Sequence, residues 1–217
     1  MAMADPSIRD LLFADLPVDL WPPRDALLSS AALAPFASAR EHLAAGREAE
    51  AIACWRDVLA DEKLEPRTQL QAWHFLRQHG QSPPPEVAKD VLGTVVEVGM
   101  ADGLDLLAAY RDHTARYYNY SGAGVVWERP DGSLDPIIDQ LLLASSRVVL
   151  RIGPWDGERP GPPPKGQVRV CFLTPSGLHF GQGAWAAISA DELGGQVVAF
   201  ATALMSALIE KSEAGRG

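Results

Sequence analysis

The sequence predicts an α+β protein: a helical, repeat-like N-terminal segment, then an antiparallel sheet of about seven strands packed by helices. Apolar residues recur at helical spacing up to Ser82-Pro83-Pro84-Pro85 and mostly at a period of two beyond it. The later apolar runs are joined by short turns rich in Gly, Asp and Ser, the connections of hairpins, with few of the crossover helices that a parallel sheet needs. The 217 residues are 47% hydrophobic and 22% charged, the balance of a globular chain with a core to bury. The expected divisions are 1–35, a helix and extended arm; 36–92, a helical segment; and 93–217, the α+β domain.

Asp5-Pro6 reads as a cap with proline at the first helical position, followed by Ile8, Leu11 and Leu12 on one face. The run from Leu16 to Pro23 holds three prolines, so it is expected as an extended arm packed on its own protein through apolar anchors. Residues 36–60 carry Phe36, Ala39, Leu43, Ala51, Trp55 and Val58 at helical spacing around Gly46. A further helix fits 67–79, closed by Gly80. Gly46, Ala51 and Trp55 stand at the spacing of turn glycine, small packing residue and aromatic, and in this the stretch 36–80 resembles a tetratricopeptide repeat. That resemblance implies a short repeat-like bundle for protein contacts. No second full copy follows, and stacked repeats usually need about three.

Ser82 and the prolines after it read as the start of another short helix, ending at Gly93. Strands are expected at 94–98, 103–112, 115–120 and 125–128, a meander. Ser133 is the expected cap of a helix with Ile137, Ile138, Leu141 and Leu142 inside. The run RVVLRI (147–152) reads as a fifth strand, and 167–174 and 178–182 as a hairpin about Pro175-Ser176-Gly177. Helices close the chain from 184, the last over about 196–211. This order of elements resembles profilin, roadblock and sensory-domain folds, a likeness of architecture that does not settle function. The chain as a whole also resembles one of the uncharacterised bacterial protein families, a likeness that implies no activity.

Several function classes are disfavoured. The net charge is −9, from 19 Lys+Arg and 28 Asp+Glu, with no basic cluster to displace counterions from phosphates, so no nucleic acid is expected. No apolar run reaches the roughly 20 residues of a membrane span, and the start lacks the basic and apolar regions of a signal peptide. A cytoplasmic protein away from membranes is expected, and its two cysteines, Cys54 and Cys171, make no disulfide framework. Five scattered histidines imply no metal; P-loop, zinc-protease and nucleophile-elbow patterns are missing, and no cofactor or catalytic residue is assigned. Asp102 and Asp105 read as a solvated turn.

Three of the four tyrosines fall within 117–120. Strand alternation sets Arg116, Tyr118 and Tyr120 on one face and Ala115, Tyr117 and Asn119 on the other. A tyrosine face with Trp127 behind it suits a planar ligand or a partner, and cross-strand packing uses the same residues. Trp155, on the lip of the proline-rich 158–166 loop, and His179 complete the candidate binding set of Arg116, Tyr118, Tyr120, Trp127, Trp155 and His179. The leading expectation is a non-enzymatic interaction or adaptor protein with a protein partner. A small-molecule sensor or carrier with a pocket between sheet and helices is the alternative, and a hydrolase using Asp, His and Tyr is a third. Oligomeric state is left open.

Overall fold

The computed structural model describes residues 6–22, 31–61 and 64–214. The chain divides into two compact units, Met1–Pro85 and Glu86–Gly217.

In the first unit, helix α1 (Ile8–Phe13) begins at Ser7. The Ser7 hydroxyl accepts the Asp10 amide while the Asp10 carboxylate accepts the Ser7 amide, a reciprocal capping box. The expected cap, Asp5, lies outside the described residues. The arm is less extended than its prolines imply, because the Leu20 and Trp21 amides both donate to the Pro17 carbonyl and close a turn. It does pack on its own unit. Leu16 is buried, both its backbone polar groups are held by the Gln71 side chain, and Trp21 meets Phe36 edge-on.

A short 3-10 turn (Ala31–Leu33) leads into α2 (Ala34–Ala44), α3 (Glu48–Leu59) and α4 (Pro66–Gln78). Gly46, at φ +72°, makes the tight turn between α2 and α3 that a β-carbon would strain. Phe36, Ala39, Ala51, Trp55 and Phe75 form the core, all essentially inaccessible. Gly80 follows α4 with a left-handed φ, as its place after the last apolar residue implies. The short helix expected after Ser82 does not form; Pro85–Lys89 make turns, and strand structure begins at Gly93.

The second unit is a single sheet of six strands. They are β1 (Gly93–Gly99), β2 (Leu104–Tyr110), β3 (Ala115–Tyr118), β4 (Gly124–Trp127), β5 (Gln167–Thr174) and β6 (Gly177–Ala184). Their order is β4-β3-β2-β1-β5-β6, and every neighbouring pair is antiparallel. Helix α5 (Asp135–Val149) connects β4 to β5, and α6 (Trp185–Ala190) and α7 (Gly194–Ala214) follow β6.

The expected seventh strand is the correction. Residues 147–149 are the last turn of α5, because Ile138, Leu141, Ser145 and Val149 continue one buried stripe three or four residues apart. The stripe outweighs the strand preference of two adjacent valines. Ser133 is not the cap of α5 either. Its amide is held by the Asp131 carboxylate, and Leu134 occupies the cap position.

One face of the sheet carries the core. Val96, Leu107, Trp127, Val170 and Phe172 meet Ile138 and Leu141 of α5 and Val197, Leu204 and Leu208 of α7. Burying each large side chain contributes roughly 1.5–3 kcal/mol. The polar Thr94 and Ser145 are admitted because Thr94 donates to Ser145, 2.8 Å away, which donates to the Leu141 carbonyl.

On the opposite face, the proline-rich loop lies against β1 and β5. The Arg169 guanidinium donates to the Glu97 carboxylate at 3.0 Å, to the Gly161 and Pro160 carbonyls, and to Gln182. It also sits 5.5 Å over the Phe180 ring. Gly99 abuts the Pro163 and Pro164 carbonyls so closely that any β-carbon there would collide with backbone. Among the described residues no helix is long and apolar enough to cross a membrane.

Candidate ligand pocket beneath helix α7

A cavity of about 260 Å³ lies in the second unit between the helix-bearing face of the sheet and α7. Its floor follows from strand alternation. Val96 and Val98 of β1, Asp105 and Leu107 of β2 and Tyr117 of β3 point the same way across three paired strands. Its roof follows from helical spacing: Val198, Ala201, Thr202 and Met205 repeat at three or four residues along one side of α7. Trp185, at the start of α6 and 42% exposed, stands at the rim.

The walls are mainly apolar, and the polar groups are few and already oriented. The Tyr117 hydroxyl donates to an Asp105 carboxylate oxygen at 3.2 Å, and the other oxygen accepts the Tyr120 amide at 2.7 Å. Burial, and then the Asp105 charge and hydrogen bond, push the Tyr117 hydroxyl up to about 12. The Thr202 hydroxyl donates to the Val198 carbonyl at 2.8 Å. Among the described residues no three His, Cys, Asp or Glu side chains converge as metal ligands.

The tyrosine-rich strand alternates as its pattern implies, with separate fates for its two sides. Tyr117 turns to the helices and the cavity, while Arg116 and Tyr118 face away. Arg116 is buried and bonded to Glu128 at 2.6 Å, so its charge is committed within the strand pair. Tyr118 covers Gly124, where a β-carbon would strike its ring. Tyr120 is exposed beyond the end of β3.

Trp127 is in the main core, with Lys211 5.6 Å over its ring. Trp155 is half exposed; its indole donates to the Glu158 carbonyl and its ring meets Phe180 at 5.3 Å. His179 is fully buried beside the Ser176 hydroxyl at 3.2 Å. Burial first, then Lys89, lowers its pKa, with the Ile152 carbonyl opposing. None of these six residues lines the cavity.

The residues missed in the sequence are Tyr117 and Asp105. Tyr117 was visible only as the opposite side of the tyrosine strand, and Asp105, expected in a solvated turn, is inside β2. The period-two pattern of β2 held the signal, since Asp105 shares its face with Leu107. Comparison with protein-family models, curated proteins and solved structures gives no match.

Proposed function

We propose that the Glu86–Gly217 unit binds a small molecule between its sheet and α7, acting as a sensor or carrier. The observation that carries this reading is the apolar-walled cavity with one oriented Tyr117–Asp105 pair, the composition of ligand sites: many apolar contacts and few polar anchors. The profilin- or sensory-like order of elements agrees with it. A thermal-shift screen of metabolites tests it, since a ligand at about 100 times its Kd adds near 2.7 kcal/mol of stability. Met205→Trp, which fills the space under α7, should remove any shift found. A shift that survives this substitution places the ligand elsewhere.

A second reading, a non-enzymatic interaction or adaptor protein, draws on a different surface. Leu143 and Leu150, seven residues apart on one side of α5 and just past its end, are 57% and 68% exposed. The repeat-like reading of 36–80 supports it too, through the left-handed Gly46 turn and the fully buried Ala51 and Trp55. Leu143→Asp or Trp155→Ala should then abolish recovery of a stoichiometric partner from cell extract. Recovery unaffected by both substitutions would remove these surfaces from consideration.

A further inference from the structure

The polar lining of the cavity is almost entirely acceptor, and this restricts what can enter it. The Tyr117 hydroxyl donates its hydrogen bond to Asp105, so its oxygen has only lone pairs left to offer a ligand. The Thr202 hydroxyl donates to the Val198 carbonyl and is left in the same condition. The Asp105 carboxylate has two oxygens with about four lone-pair sites, of which Tyr117 and the Tyr120 amide fill two. Beyond the Tyr117 and Thr202 hydroxyls, which donate to Asp105 and Val198, the Trp185 indole N–H is the one side-chain donor among the lining residues, and it belongs to a half-exposed rim residue. Asp105 is the single lining residue with a formal charge, and no Lys, Arg or His accompanies it.

A carboxylate or phosphate would face the half-buried Asp105 with no lining cation to offset it, and like charges at close range repel. A purely apolar ligand would cover the carboxylate and leave acceptors desolvated without partners, which is unfavourable. A ligand bearing several N–H donors and a positive charge satisfies both demands, and the Tyr117 and Trp185 rings supply faces that attract cations. The remaining lining, valines with Leu107, Ala201 and Met205, accommodates an apolar body.

We propose that this cavity takes a small primary amine in its ammonium form, with its N–H groups on Asp105 and Tyr117 and its apolar body beneath α7. The assignment rests on the reading of the cavity as a ligand site, and it adds the chemical class of the ligand.

The test uses the full chain with n-hexylamine and 2-phenylethylamine as probes, and 1-hexanol and hexanoate as neutral and anionic controls of similar size. Titration calorimetry at neutral pH should show the amines binding about tenfold or more tighter than hexanol, and hexanoate weakest, because a hydrogen bond to a charged group is worth about one decade of affinity. Asp105→Asn should weaken the amines about tenfold and leave hexanol within about twofold. Tyr117→Phe should weaken the amines by a smaller factor, and circular dichroism verifies that both variants are folded. Amines and hexanol binding alike, or amine affinity unmoved in both variants, would overturn the ammonium assignment while leaving the cavity as a ligand site. No binding by any probe would overturn the assignment as well. Binding that persists in Met205→Trp would overturn the site itself.

Discussion

The hydroxyl of Tyr117 and the carboxylate of Asp105 meet at 3.2 Å across the β2–β3 pair, two residues out of direct register. That diagonal contact orients both groups on the cavity floor. It also leaves a titration signature. Burial, followed by Asp105, raises the Tyr117 pKa to about 12. A raised folded-state pKa stabilises the fold fully below the ordinary value of 10, and this stabilisation is lost as pH climbs through about 12. Absorbance titration of the tyrosines should show a step near 12 that disappears in Tyr117→Phe.

Gln71 holds the arm of the first unit. Its side chain satisfies both the amide and the carbonyl of Leu16 from a fully buried position. Gln71→Leu leaves two buried backbone groups without these bonds, at about 1–3 kcal/mol each. Urea denaturation should show the loss, and limited proteolysis should begin to cut at residues 14–22. An unchanged urea midpoint would mean the arm contributes nothing to stability.

The ion pair between Arg169 and Glu97 is buried on both sides, with side-chain exposures of 4% and 0%. Arg169→Met strips a buried carboxylate of its guanidinium and removes the donors that hold the Pro160 and Gly161 carbonyls. A cost of about 3–5 kcal/mol is expected. Cleavage within 156–166 should rise in parallel. A change below about 1 kcal/mol would show that the loop stays in place without this residue.

His179 gives a prediction for acid. Burial, then Lys89, depresses its pKa below the ordinary 6.5, so its contribution to stability is present above 6.5 and is lost as pH falls through the lower folded value. The urea midpoint should therefore drop between pH 7.5 and pH 5. His179→Gln, which keeps polarity and removes the titration, should flatten that drop. An equally steep drop in the variant would assign the acid sensitivity to other groups.

Much of the architecture was legible because it rests on local signals. The turns before Leu104 and after Tyr118, and the alternation along 115–118, are written in neighbouring residues. Element type failed where two local signals competed. At Val148-Val149, β-branched residues favoured a strand, while a buried stripe reaching back to Ile138 favoured a helix and prevailed. After Ser82, three prolines suit a helix start, yet only a turn forms before Val91 and Leu92 become buried beside the first strand. The candidate site was the least legible part. Its floor comes from three strands and its roof from a helix that begins long after them in the chain, and no local pattern declares that Tyr117 and Met205 line one cavity. The tyrosines drew attention to the strand that carries Tyr117, but to the side of it that faces away from the cavity.

Strand β1 gives alternate residues to opposite environments: Val96 and Val98 to the cavity, Glu97 to the sealed pairing with Arg169. Inserting or deleting one residue within 94–98 would therefore trade these roles, sending an acid into the greasy chamber and a valine to face the guanidinium. The strand should tolerate many exchanges of one side chain for another yet reject almost any change in its length.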